Sequence, residues 1–341
     1  MINQVYRLVS ARQIEVSYTD RALSAKHVVI RPTHLSICAA DQRYYTGSRG
    51  EEVMQQKLPM ALIHEAVGEV AYDPEGILPV GTKVVMMPNH PVEEDPHIGE
   101  NYLPSSKFSS SGYDGFMQDY VFLKRNRICV LPDDIDMTIA SFTELVTVAM
   151  HAIARFEAKS SSRRGSFGVW GDGNLGFITS LLLKFLYPNS HVTVFGKTGY
   201  KLSQFSFVDD CLFINDIPTD YRVDHAFECV GGKGSQDAIN QMIAHVRPEA
   251  TLSLLGVSEY PTEINTRLVL EKGLLLIGSS RSNVEDFQRT VDLYTQQPKI
   301  LQYLATLVGF TQEVTTVQEV IQVFEKDLAS SWGKSVMLWK I

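Results

Sequence analysis

The stretch Phe167-Gly168-Val169-Trp170-Gly171-Asp172-Gly173-Asn174-Leu175-Gly176 constrains the fold more than any other part of the chain. A short apolar run enters G-x-G-x-x-G, and a long apolar segment, Phe177 to Leu186, follows until Pro188 stops it. Strand, tight glycine turn and helix, in that order, are what a dinucleotide-binding fold requires. Gly171 permits the turn, Gly173 lets a pyrophosphate approach the backbone, and Gly176 lets helix and strand pack closely. Asn174 and Leu175 open the helix, whose first N–H groups and partial positive charge face the phosphates. A bare glycine motif is weak evidence, because any glycine turn between strand and helix imitates it; the apolar flanks on both sides favour the cofactor reading.

The rest of the chain divides around this motif. From about residue 151, strands and helices alternate: strand 191–195, helix near 200–205, strand 211–214, buried strand 224–229, helix 235–245, and strands 251–255 and 274–277. That order predicts a doubly wound parallel sheet over 151–286. Residues 1–150 instead read as short strands (13–16, 27–31, 68–70, 83–86, 120–123) separated by Gly, Pro and Asp turns, an irregular antiparallel barrel. The segment 287–341 is mixed again, with helical periodicity at 317–324 and a strand at 336–339. Two long stretches, 39–58 and 88–112, read as irregular, and the second holds a solvated acidic run, Glu93-Glu94-Asp95-Pro96.

A chain of 341 residues exceeds one ordinary core, so two domains are expected. The formal net charge of -8 argues against a nucleic-acid surface, and it obliges an anionic substrate to meet a local cluster of Arg and Lys. Cys38, Cys129, Cys211 and Cys229 form no C-x-x-C pair, which suits a reducing compartment without disulfides; the last three sit in apolar runs and are expected in the core. No basic segment followed by an apolar core opens the chain, and no apolar run approaches the roughly 18–20 residues of a membrane span. A cytoplasmic, soluble protein is the expectation.

Ahead of the glycine motif lie Ser36-Ile37-Cys38-Ala39-Ala40-Asp41, Pro59-Met60-Ala61-Leu62-Ile63-His64-Glu65-Ala66-Val67-Gly68 and Thr143-Glu144-Leu145-Val146. A thiolate, an imidazole and one or two carboxylates are ligand types of open, catalytic Zn²⁺ sites. Cys38, His64 and a glutamate form such a set, with Glu65 and Glu144 competing for the third place. Taken singly, Cys38 is an ordinary buried thiol; its company makes the metal reading.

With the glycine motif, these segments resemble the zinc-dependent medium-chain dehydrogenase/reductase family, the alcohol and polyol dehydrogenases, over essentially the whole chain. The stretches Gly112-Tyr113-Asp114-Gly115-Phe116-Met117 and Asp224-His225-Ala226-Phe227-Glu228-Cys229 add to the likeness. The resemblance implies a GroES-like β-barrel catalytic domain built from 1–150 and 287–341 around a central Rossmann domain. It implies one catalytic zinc whose ligands map to Cys38 and His64, with Glu65 beside them and Glu144 at the position of the further acidic ligand or water partner. Within the family, Cys38-Ala39-Ala40-Asp41-Gln42-Arg43-Tyr44-Tyr45-Thr46-Gly47 and Gly278-Ser279-Ser280-Arg281-Ser282 are most similar to reductases acting on ribulose 5-phosphate in wall teichoic acid and capsule synthesis. That likeness implies ribitol 5-phosphate as product, a cytidylyltransferase making CDP-ribitol as functional partner, and a homodimer paired at strand 274–277. A different polyol or polyol phosphate, or a metal-free NADPH-binding structural or regulatory protein, are the alternatives.

Two departures from the family pattern carry weight. No cysteine lies between Cys38 and Cys129, so a second, structural zinc is not expected. Ala40 and Arg43 stand where relatives commonly carry the hydroxyl and imidazole of a proton relay. Arg43 is then available for a substrate phosphate, with Tyr44 walling the cleft and Arg281 just beyond a strand end where ligands bind. Arg49 and Lys57 read as surface charges. For the cofactor, the strand at 191–195 ends in Gly196-Lys197-Thr198 with no carboxylate for ribose hydroxyls. Glycine leaves room, and Lys197, Thr198 and Lys201 supply charge and polarity for a 2′-phosphate, which points to NADPH.

Overall fold

The computed structural model describes residues 1–341. The chain forms two compact units, Met1–Leu145 with Ser282–Ile341, and Val146–Arg281.

In the first unit a seven-stranded sheet runs in the order Ile128–Val130, Lys83–Met86, Glu65–Tyr72, Val28–Ser36, Lys334–Trp339, Val308–Val314, with Val121–Leu123 also joined to Val28–Ser36. A three-stranded sheet of Ile2–Ser10, Gln13–Asp20 and Met60–Ala61 belongs to the same unit. Leu35, Ala66, Val67, Val84, Val85 and Val336 are all fully buried, so the middle strands carry the core. Burying such side chains contributes roughly 1.5–3 kcal/mol each. Ser36 pairs with Glu65 on one side and with Val336 on the other. The two ends of the chain therefore meet at the end of one strand, next to Cys38.

The stretch 39–58 is not irregular. It holds two seven-residue helices, Ala39–Tyr45 and Glu51–Lys57. The first starts because Asp41 reaches back to the N–H of Cys38, at 3.1 Å, and because Asp41, Gln42, Tyr44 and Tyr45 bury one face. Two turns are too few for a periodic signal, which is why the pattern hides. The stretch 88–112 keeps little regular structure beyond a ladder of Asn89–His90 with Lys107–Phe108. A bidentate pair anchors it, Arg127 donating to Glu100 at 2.7 and 3.0 Å, and the run Glu93-Glu94-Asp95-Pro96 is exposed. The strand Val308–Val314 escapes sequence reading because alternate side chains face solvent, leaving few apolar positions to count.

The second unit is a six-stranded parallel sheet in the order Asp210–Phe213, His191–Gly196, Ser166–Trp170, His225–Glu228, Thr251–Leu254, Leu275–Gly278. Numbered along the chain this is 3-2-1-4-5-6, the dinucleotide-binding order, with its reversal between the first and fourth strands. Helices Asn174–Leu186 and Ser235–His245 cover the sheet, and Trp170 stacks on Phe195 at 4.0 Å between ring centroids. The helix after the second strand is only Gly199–Leu202. Cys129 and Cys229 are buried as expected, but Cys211 is exposed. Its strand is the sheet's outermost, paired on one side only, so its apolar run does not guarantee burial.

Candidate active site

The turn from strand Val28–Ser36 into helix Ala39–Tyr45 presents Cys38, and the entry to strand Glu65–Tyr72 presents His64 and Glu65. Donor atoms of Cys38, His64 and Glu65 all lie within 4.8 Å of one another. His64 turns Nδ1 toward Asp41 Oδ1 at 3.5 Å, which leaves Nε2 as its donor for a metal. Asp41, fully buried, is tied on every side: Oδ1 accepts from Ile63 N–H at 2.9 Å and Ser110 Oγ at 2.6 Å, and Oδ2 from Cys38 N–H. One carboxylate thus fixes the loop before His64, the helix after Cys38 and the imidazole itself. The sequence displays Asp41 three residues after Cys38, yet spacing alone does not reveal this role.

Glu65 has a partner far along the chain. Lys334 Nζ donates to Oε1 at 3.0 Å, lies 2.8 Å from Oε2, and donates also to the carbonyl of Ile37 at 2.6 Å. Both side chains are out of solvent. Burial pulls Lys334 toward neutrality, but the Glu65 carboxylate and the Cys38 sulfur outweigh it and raise its pKa. Burial likewise opposes the charged form of His64, yet Asp41 and Cys38 hold its pKa well above the ordinary value. Asp41 is drawn below the usual carboxylate range, despite burial, by His64, Ser110 and the Ile63 N–H. Glu144, in the first turn of helix Thr143–Lys159, is pushed up to about 7, chiefly by burial, with His64 opposing and Glu65 adding. It feels these charges but is not among the three converging donors.

Cys38, Asp41, Glu65 and Glu144 thus surround one imidazole and one ammonium. Such an excess of acidic and thiol groups suits a bound cation, and the soft thiol with imidazole and carboxylate suits zinc.

In the second unit the glycines fill the parts their spacing suggests. Gly171 has φ +133°, and a Cβ there would lie 2.9 Å from the Cys229 backbone. A Cβ on Gly176 would fall on the carbonyl of Gly171, whereas Gly173 faces open space at the start of helix Asn174–Leu186. Two carboxylates that the sequence does not single out shape this edge. Glu228, fully buried, takes the N–H groups of Val230 and Gly231 on Oε1 at 2.9 and 2.8 Å, and that of Gly256 on Oε2 at 2.8 Å. Asp172 Oδ2 accepts from Lys197 N–H and Thr198 N–H, both at 2.8 Å. The space beside Gly196 is therefore filled by Asp172 and Leu202. Lys197 is exposed, and Thr198 and Lys201 lie in the same short turn, Lys201 half-buried.

The remaining candidates are scattered. Tyr44 is buried, its ring covered by Arg49 at 4.9 Å and Lys57 at 5.8 Å, and Lys57 donates to Ser111 Oγ at 2.8 Å. Arg49 and Lys57 are accordingly half-buried, not surface charges, because they pack on that ring. Arg43 is half-buried on the same helix as Tyr44, and Arg281 follows strand Leu275–Gly278 in a left-handed conformation, φ 59°. His151 is buried.

Comparison with known proteins places this geometry. Residues 24–133 match the alcohol dehydrogenase GroES-like domain family. The chain is 64% identical over 341 residues to the ribulose-5-phosphate reductase of Bacillus spizizenii, covering 100% of both. It is 41% identical over 343 residues to the ribulose-5-phosphate reductase of Streptococcus pneumoniae, covering 100% of this chain and 98% of that one. The crystal structure of Staphylococcus aureus TarJ in complex with NADPH superposes with a TM-score of 0.90 at 56% identity, covering 100% of each chain.

Proposed function

This chain belongs to the GroES-like medium-chain dehydrogenase/reductase family, among its ribulose-5-phosphate reductases, and on that premise we propose that it reduces D-ribulose 5-phosphate to D-ribitol 5-phosphate with NADPH. The observation that carries the reading is the meeting of Cys38, His64 and Glu65 in a chain whose full-length relatives are reductases of this substrate. NADPH supplies the hydride for C2 of the pentulose. Cys38 Sγ, His64 Nε2 and a glutamate would hold a zinc ion, which when bound would supply Lewis-acid polarisation of the carbonyl.

The chain's own residues do the rest. Asp41 holds the imidazole so that Nε2 faces the donor cluster, the outer carboxylate role that orients a ligating histidine. Lys334 holds Glu65 by a charge-assisted hydrogen bond in a dry setting and sets how far it leans toward the other donors. Glu144, whose carboxyl titrates near neutrality, is the group assigned to hold the proton for the developing alkoxide, in place of the relay that Ala40 and Arg43 do not provide. Gly171, Gly173, Asn174, Leu175 and Gly176 receive the pyrophosphate, and Lys197, Thr198 and Lys201 the 2′-phosphate. Arg43 and Arg281 are assigned to the substrate phosphate, while buried Tyr44 carries Arg49 and Lys57 in position. Product passed to a cytidylyltransferase would feed CDP-ribitol and teichoic acid or capsule synthesis. No helix is long and apolar enough to cross a membrane, which accords with work in the cytoplasm. Strand Leu275–Gly278 ends the sheet with Leu275 exposed, an edge suited to a second copy.

The test is steady-state reduction of ribulose 5-phosphate with metal content measured in parallel. Stoichiometric zinc is expected, with kcat/KM higher for NADPH than NADH. Cys38→Ala should abolish turnover while NADPH still quenches protein fluorescence. Undiminished turnover by metal-free protein refutes the metal assignment, and ribulose 5-phosphate reduced no faster than other ketose phosphates refutes the substrate.

A further inference from the structure

We propose that Asp172 sets the cofactor preference, as a positioning residue whose carboxylate holds residues 197 and 198 in the shape that receives an adenosine 2′-phosphate. The inference rests on the NADPH reading of the proposed function. Asp172 belongs to the glycine motif, but its carboxylate crosses to the end of the neighbouring strand. Two features bring it there: the positive φ of Gly171, and the Gly171 N–H donated to the Phe195 carbonyl at 2.9 Å. At that point Oδ2 takes the N–H groups of both Lys197 and Thr198 at 2.8 Å. One oxygen receiving two successive N–H groups fixes both peptide planes, and hence the directions in which both side chains leave the backbone.

Gly196 completes the arrangement. A Cβ there would lie 2.7 Å from Asp172 Cβ and 2.9 Å from Oδ2, so this contact exists because residue 196 has no side chain. Folds that take NAD place a carboxylate at the end of this strand, where it accepts the ribose hydroxyls. Here a carboxylate is present at the same strand end, but it arrives from the glycine motif and is engaged by backbone N–H groups. The motif that meets the pyrophosphate and the turn that meets the ribose are thereby joined into one piece. Gly196 and Lys197 also line a cavity of about 700 Å³, walled further by Phe213, Asn215, Asn240 and Gln241. Its other walls include the Asp237 carboxylate and the His245 imidazole, and its volume and aromatic face suit the adenosine end of a dinucleotide.

Wild type, Asp172→Ala, Asp172→Asn and Gly196→Ala are compared in the zinc-loaded enzyme, by kinetics with NADPH and NADH and by calorimetry with 2′,5′-ADP and ADP. Asp172→Ala should raise KM for NADPH and weaken 2′,5′-ADP by about tenfold or more, with kcat, KM for NADH and ADP binding changed less than about threefold. Asp172→Asn, whose amide oxygen can accept the same two N–H groups, should stay within about threefold of wild type. Gly196→Ala, whose new Cβ displaces the carboxylate, should follow Asp172→Ala. Equal weakening of ADP and 2′,5′-ADP by Asp172→Ala, or an Asp172→Asn variant as impaired as the alanine, overturns the proposal. A wild type that binds 2′,5′-ADP no more tightly than ADP defeats the NADPH reading itself, whatever the variants do.

Discussion

Glu65 and Glu228 are both wholly buried carboxylates at strand boundaries, yet their partners have nothing in common. Glu65 is met by the ammonium of Lys334, 269 residues away, whereas Glu228 is met by three N–H groups, two of them within three residues. A cradle of N–H groups satisfies a carboxylate by local loop geometry and leaves no counter-charge to lose. A buried ion pair depends on a second desolvated charge, supplied here by another part of the sheet, and removing either member leaves the other exposed to a low dielectric. Glu65 thus rests on one long-range pair, while Glu228 rests on short backbone contacts.

The largest test of this contrast is Lys334→Met. Leaving Glu65 buried without its cation should cost about 3–5 kcal/mol, read as a lower midpoint in urea unfolding of the first unit. Adding Glu65→Gln should recover a good part of the loss. A single variant as stable as wild type would show that Glu65 takes up its proton or finds water without penalty, and the contrast would fail. Next in size, Asp41→Asn keeps the shape beside His64 but removes the charge. It should weaken metal retention against a chelator about 10–100-fold and leave NADPH affinity unchanged. Parallel loss of NADPH affinity would mean that the metal and nucleotide sites are not independent.

A smaller effect sharpens the other side. His225 Nδ1 accepts the Thr251 N–H at 3.0 Å, so Nε2 carries the proton and donates to the Arg163 carbonyl at 3.1 Å. Burial, with Arg164 and Arg163 nearby, lowers its pKa to about 4, while the unfolded chain titrates near 6.5. The unfolded state therefore binds the proton first. The contribution is fully present above pH 6.5 and is lost as pH falls toward 4. The expected loss is at most about 3 kcal/mol, measured by thermal unfolding across that range. His225→Phe should flatten the slope at a lower plateau, because Thr251 loses its acceptor; an unchanged slope would assign the acid sensitivity to other groups, such as His90, whose pKa is also lowered to about 4.

Legibility from sequence follows the same division. Gly171, Gly173 and Gly176 can be read because their whole meaning lies within six residues, and a parallel sheet follows from alternation along the chain, though its strand order is seen only in the structure. Cys38, His64 and Glu65 are legible as ligand types, and the structure brings their donor atoms together. Lys334 is not, since nothing near it distinguishes it from a solvated lysine until Lys334–Trp339 pairs with Val28–Ser36. Asp41 and Asp172 stand inside recognisable motifs without a visible role, because which N–H groups a carboxylate captures depends on loops brought together by tertiary structure. Two-turn helices in 39–58 and an edge strand at Cys211 fall below what periodicity can resolve.

The pairing of Lys334–Trp339 with Val28–Ser36 also has a consequence for how the molecule is made. During translation the central nucleotide-binding segment leaves the ribosome as one uninterrupted stretch and can close on itself. The pocket around Glu65 must wait for a strand synthesised nearly three hundred residues later. A nascent or prematurely ended chain could therefore complete the nucleotide-binding sheet while Glu65 still lacks its ammonium.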